Sequence, residues 1–143
     1  MNIKTLDKEI FEIITQKNKL SKLSYDHKDY DDLEEELHDL EDDFLEKYGE
    51  YFEDVLDNVH NKFCPDTDVL LPIAYLAKEY KNTGKNPDGT PILDVNFKDG
   101  VWVDLDKYPN KDTRLVLVPF PTRLLLTIDG KGKEIVWNAT ESK

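Results

Sequence analysis

The sequence predicts an α+β protein: a long N-terminal helical hairpin followed by a C-terminal antiparallel β-meander of about five strands. Two observations carry that expectation. Residues 30–63 hold apolar side chains at helical spacing, and from residue 91 onward the apolar period drops to two. A third observation, the crowding of acidic residues into the first of these stretches, bears on function.

Within residues 30–63, Leu33, Leu37, Leu40, Phe44, Tyr48, Tyr51, Val55 and Val59 are spaced 4-3-4-4-3-4-4, which places them on one helical stripe. Almost everything between them is Asp or Glu. From Asp26 to Asp57, sixteen acidic residues stand against Lys28 and Lys47, a balance of −14. The whole chain carries −12, so the remainder sums to +2. The acidity belongs to one surface. Such a surface repels nucleic acid and anionic membrane, and attracts basic partners or cations.

A chain of 143 residues is of ordinary single-domain length, and one domain spanning 1–143 is expected. Residues 1–64 form its helical hairpin subregion and 65–143 its mainly β subregion. The hydrophobic fraction is only 38%, but six Phe, seven Tyr and two Trp bury much area each. A single cysteine, Cys64, excludes an internal disulfide and suits a reducing compartment. Asp7 and Glu9 interrupt the apolar run a signal peptide would need, and no stretch approaches the roughly eighteen apolar residues of a membrane span. The expected location is cytoplasmic.

In chain order, Thr5 can cap a first helix whose apolar face is Leu6, Ile10, Ile13, Ile14, Leu20 and Leu23. Asp7 and Glu9 suit the positive end of its dipole, and Lys17, Lys19 and Lys22 suit the other. Residues 24–29 turn the chain, with Asp29 a cap for the second helix. Gly49 falls inside that helix, where a glycine costs about 1 kcal/mol relative to alanine and permits a kink. Pro65 ends it. Residues 66–80 support two readings. Ile73, Leu76, Ala77 and Tyr80 match a helical face with Pro72 in its first turn, whereas Val69, Leu71, Ile73 and Tyr75 alternate as an edge strand would. The helix is the expectation adopted. Residues 81–91, rich in Gly, Pro and Asn, read as a mobile loop.

Beyond it, Leu93, Val95 and Phe97 alternate, Lys98-Asp99-Gly100 turns, and Val101, Val103 and Leu105 alternate again, a hairpin signal. Arg114–Phe120 and Thr122–Ile128 are apolar runs, and Asp129-Gly130-Lys131-Gly132 turns into Glu134–Trp137. Leu124-Leu125-Leu126 suggests a central strand covered on both faces.

Little in this pattern supports catalysis. Glu35-Glu36-Leu37-His38 has the Glu-x-x-His spacing of di-iron bundles, and Asp57-Asn58-Val59-His60 is a weaker analogue. At 100° per residue, however, Glu35 and His38 fall on the solvent side of the helix, so no metal is expected. Asp94–Gly100 starts like a calcium loop, but Lys98 holds a ligand position and Leu105 stands where the closing Glu belongs. Cys64 lies at a helix C-terminus, the end that disfavours a thiolate. Gly130–Lys133 is too short to cradle a phosphate. Nucleic-acid binding could come only from Arg114, Arg123, Lys131 and Lys133, with Trp102 or Trp137 stacking, and the charge balance of that half is too close to neutral to track a backbone. No catalytic residue, cofactor, nucleic acid or membrane contact is predicted.

What remains is the acidic helix. Its like charges at i, i+3 and i+4 destabilise a free helix, and a surface selected only for solubility would mix signs. The leading expectation is a non-catalytic protein-binding or regulatory protein that meets a basic partner through residues 30–57. Its contact residues would be Glu34, Glu35, Asp39, Asp42 and Asp43, with Tyr48 and Tyr51 at the edge. An immunity-type inhibitor or a DNA mimic would have this charge layout. The long helices offer a second arrangement, a homodimer around a four-helix bundle. The competing class is a small-molecule-binding protein or enzyme. Its pocket would lie between the sheet and residues 66–91, lined by Trp102, Arg114, Arg123 and Trp137.

Overall fold

A computed structural model describes residues 2–129 and 132–139. Helix α1 runs over Ile3–Ser21 and α2 over Tyr30–Phe63, followed by a 3-10 turn at Pro72–Tyr75. Among the described residues six strands complete the order: β1 (Lys81–Lys85), β2 (Pro91–Asp94), β3 (Val101–Trp102), β4 (Thr113–Val118), β5 (Arg123–Ile128) and β6 (Gly132–Asn138). The fold is α+β, with a helical pair followed by antiparallel strands. Those strands form two sheets in place of one meander, a ribbon β1-β2 and a four-stranded sheet ordered β3-β4-β5-β6.

The helical hairpin forms for the reasons its sequence gives, with small shifts at the ends. Asn2 caps α1 in place of Thr5, whose N–H donates to the Asn2 side-chain oxygen at 3.1 Å. The helix is thereby lengthened at its start. Asp29 is the cap position of α2, although its side chain makes no capping bond. The two helices run antiparallel, Lys47 reaching Glu9 at 2.8 Å and the Gln16 amide reaching Glu36 at 2.6 Å. Gly49 neither breaks nor ends α2. Its position is helical and a Cβ there would meet nothing within 4 Å. Gly49→Ala is therefore expected to raise folding stability by about 0.5–1 kcal/mol, measurable as a higher urea midpoint at unchanged slope.

The buried face of α2 turns along its length. Leu37 and Phe44 are buried in the first half; Phe52, Val55, Leu56, Val59 and His60 are buried in the second. At 100° per residue the centre of that face rotates by roughly 80°. The first half covers α1, whereas the second lies on the sheet and on residues 72–80. A single evenly spaced stripe therefore misses Phe52 and Leu56. Phe52 is fully buried, its ring 5.7 Å from those of Phe44 and Trp137.

Residues 66–80 correct the sequence reading. Only Pro72–Tyr75 is helical, for a single turn, and Leu76 returns to extended backbone. Side chains replace regular pairing here. The Tyr80 hydroxyl donates to Leu117 O at 2.6 Å and accepts from Ala77 N–H at 2.9 Å, and full burial pushes its pKa well up. Residues 81–91, expected as a mobile loop, instead form β1 and the turn into β2, with Lys81 opposite Asp94 and Lys85 opposite Pro91. The expected pairing of 93–97 with 101–105 is absent, because β2 pairs with β1 and β3 pairs with β4. Gly100 explains the second pairing. Its φ is +98°, and a Cβ there would collide with the Leu115 carbonyl, so glycine lets the chain lie against β4. Of the turn expected at 129–132, Gly130 and Lys131 lie outside the described residues.

Strand alternation divides the four-stranded sheet into two covered faces. Leu115, Leu117, Leu124, Leu126 and Trp137 share the face toward α2, as the Trp137–Phe52 contact requires. Val116, Leu125 and Thr127 share the opposite face, beneath residues 93–100. There the Lys133 ammonium joins Asp94 and Val95 O, and Thr127 approaches Phe97 O. Leu124, Leu125 and Leu126 are all buried, as a doubly covered central strand demands.

Asp7, expected as a dipole-stabilising acid, has a different role. It is buried, and its Oδ1 accepts from the Thr122 N–H at 2.8 Å and from the Thr122 hydroxyl. This joins α1 to the β4–β5 turn, where Phe120 has φ +70° and its ring meets Phe11 edge-on at 5.2 Å.

Candidate functional site

The acidic residues of α2 keep their charge unpaired. Fourteen lie between Tyr30 and Phe63, and among the described residues none forms an ion pair. The one lysine in the middle of the helix, Lys47, turns away to Glu9 on α1. Glu36 accepts a hydrogen bond from neutral Gln16. Glu41, partly buried between the helices, has its pKa raised by desolvation despite the nearby Lys17. Glu35, Asp39, Asp42 and Asp43 are exposed and Glu34 is half-buried. At 100° per residue Glu35, Asp39, Asp42 and Asp43 lie on the outward half of the helix, and Glu34 lies at its flank.

Tyr48 and Tyr51 do not join them. Both are half-buried on the inner side, Tyr48 tilted against Phe44 at 5.2 Å and Tyr51 edge-on to Phe52 at 5.3 Å. Burial raises the pKa of each phenol, with the Glu9 carboxylate adding to the effect at Tyr48. The sequence signal for their inward position is the apolar stripe itself, of which both are members.

A feature absent from the sequence reading lies beside this acidic face. Residues 64–72 run back along α2 and are pinned by polar bonds. His60 is buried, its Nδ1 2.9 Å from Thr67 O and its Nε2 2.8 Å from the Tyr75 hydroxyl. A carbonyl can only accept, so Nδ1 carries the proton and Tyr75 donates to Nε2. The same Tyr75 oxygen accepts the Leu70 N–H at 3.1 Å, and the Thr67 hydroxyl accepts the Asp104 N–H at 3.0 Å. Both His60 nitrogens are thus occupied, and Asp57 points to solvent. The same stretch buries Cys64, whose thiol pKa is raised by desolvation.

This pinned backbone carries two leucines outward. Leu70 is 47% exposed and Leu71 61%. With Leu45, Gly49 and Val69 they form an open apolar groove of about 790 Å³ against α2, rimmed by Glu50, Glu53 and Asp57. Gly49, which in the sequence only permits a kink, supplies its open floor.

The four residues predicted to line a pocket do not converge. Trp102 and Arg114 are cross-strand neighbours, Trp102 53% exposed and Arg114 held by Asp112 at 2.9 Å. Arg123 donates to the carbonyls of Pro119 and Pro121, and its burial lowers its pKa against the opposing pull of Asp7. Trp137 is on the helix-facing side, against Phe52 and Tyr51. A second groove of about 750 Å³ lies between the start of α1, residues 86–90 and Phe120-Pro121. Its polar groups bond one another: Asn86 Nδ2 donates to Thr90 and to Phe120 O, and Asp88 accepts from Thr90. Those bonds satisfy a structural joint.

Fold and site together describe an α+β protein with a charged, partly apolar helix surface. Comparisons of the chain with protein-family models, curated proteins and solved structures find no match. No described helix is long and apolar enough to cross a membrane.

Proposed function

We propose that this chain is a non-catalytic binding or regulatory protein of the cytoplasm, and that the outward face of α2 meets a basic protein partner. The observation that carries this reading is the unpaired acidity of α2. Like charges at i, i+3 and i+4 cost the helix stability, and no described cation forms an ion pair with them. A cationic partner would relieve that repulsion on binding and be steered to the helix by its field. The reduced, buried Cys64 suits a reducing compartment. Pairing of the long helices between copies is disfavoured by the same charges, since the apolar stripe of α2 is already covered by α1 and the sheet.

The test compares wild type with a variant carrying Glu34, Glu35, Asp39, Asp42 and Asp43 as lysines, each used to capture proteins from native lysate. These positions lie outside the core and the changes lower like-charge repulsion, so circular dichroism should show the helices intact. The expected result is a basic protein retained by wild type at physiological salt and lost from the variant. Identical binders for both proteins, or none, would overturn the reading.

A further inference from the structure

We infer that the groove between α2 and residues 69–72 is a docking site for a cationic amphipathic helix of a partner protein, which seats its apolar face on Leu70 and Leu71. This rests on the reading of α2 as a partner-binding helix, and it supplies that reading with a place and a partner chemistry.

Three features select this occupant. First, the exposed leucines are held, because Tyr75 fixes the Leu70 N–H and His60 fixes Thr67. An apolar patch on a fixed backbone is ready to bind with little ordering cost. Second, Glu50, Glu53 and Asp57 rim the apolar floor, and none is in an ion pair among the described residues. An apolar ligand edged with lysine or arginine complements both; a second copy of this chain would set these carboxylates against their own kind, and an anionic membrane would be repelled. Third, the groove continues an acidic row. At 100° per residue Glu35, Asp39, Asp42, Glu46, Glu53 and Asp57 share one side of α2, extending over about 33 Å from Glu35 to Asp57. That length accommodates a helix of about six turns lying along α2, with apolar anchors at i, i+3 or i+4 reaching the leucines.

Two fluorescent helix-forming peptides test the assignment, both carrying the same lysines on one face. The first has leucines on the other face, the second serines. Anisotropy titrations at physiological salt are expected to show wild type binding the Lys/Leu peptide at least about tenfold more tightly than the Lys/Ser peptide. Leu70→Ser with Leu71→Ser should remove that preference while leaving Lys/Ser binding unchanged. Both positions are exposed, so the fold, checked by circular dichroism and melting, is retained. Gly49→Arg places bulk and like charge in the groove floor and should weaken the Lys/Leu peptide most.

A double variant that holds the Lys/Leu peptide as tightly as wild type would overturn the groove. If wild type binds both peptides equally, and lysines at Glu34, Glu35, Asp39, Asp42 and Asp43 abolish both, the acidic face stands and the groove fails. If wild type binds neither peptide, the groove proposal is refuted, while the lysate comparison separately decides the acidic face.

Discussion

Phe52→Ala is expected to lower folding stability by about 3–5 kcal/mol, the range for removing a fully buried phenylalanine. Phe52 has no exposed surface and sits where the two halves of the molecule meet. Its ring lies 5.7 Å from Phe44, on the part of α2 that covers α1, and 5.7 Å from Trp137, on the sheet. Tyr51 adds an edge contact at 5.3 Å. Truncation would remove three aromatic contacts and leave a cavity that rigid neighbours on a helix and a sheet cannot collapse to fill. Since domains of this kind are stable by only about 5–15 kcal/mol, the variant should be near its unfolding threshold at physiological temperature. Urea denaturation followed by circular dichroism measures it. A loss below about 1 kcal/mol would mean that Phe52 does not join the helices to the sheet.

That residue also marks where sequence reading reaches its limit. The helical hairpin is legible because the 3.6-residue period persists through more than thirty residues, and an acidic face follows directly from composition. The evenly spaced stripe passes over Phe52 because it assumes one neighbour along the whole helix, whereas α2 has α1 beside its first half and the sheet beside its second. The ribbon β1-β2 is illegible for a different reason. Every residue of β1, Lys81–Lys85, is exposed, so no apolar alternation announces a strand. Its pairing is with Pro91–Asp94 across an Asn86–Thr90 turn, which holds itself together through Asp88 and Asn86.

The groove is harder still to read. Leu70 and Leu71 are about twenty residues from Gly49 in sequence, and only the fold lays them against it. One signal was available: Leu70 and Leu71 do not belong to the helical face Ile73, Leu76, Ala77 and Tyr80, so a helix there would have left both leucines unassigned. Residues 66–80 resist both helix and strand because their backbone is satisfied by side chains, Tyr75 and Tyr80 of the segment itself and His60 of α2. Such partners leave no periodic trace.

Tyr75→Phe gives the second large effect, and it links stability to the groove. The substitution keeps the ring and removes one oxygen, which has two partners: it donates to His60 Nε2 at 2.8 Å and accepts the Leu70 N–H at 3.1 Å. His60 is only 2% exposed, so its nitrogen has no ready replacement, whereas the Leu70 amide lies closer to solvent. An unsatisfied buried group costs about 1–3 kcal/mol; with the Leu70 bond partly replaced by water, the expected total is about 2–4 kcal/mol. Hydrogen exchange separates the two parts. The Leu70 amide should lose its protection in the variant by at least about tenfold, while amides of β4 and β5 slow or quicken only with global stability. Freed from Tyr75, residues 67–71 no longer hold Leu70 and Leu71 in place, and ordering them again becomes part of the cost of binding. The Lys/Leu peptide should therefore bind Tyr75→Phe more weakly than wild type although every groove side chain is present. Unchanged Leu70 exchange would show that another group fixes this segment, and the groove's rigidity would then have a different source.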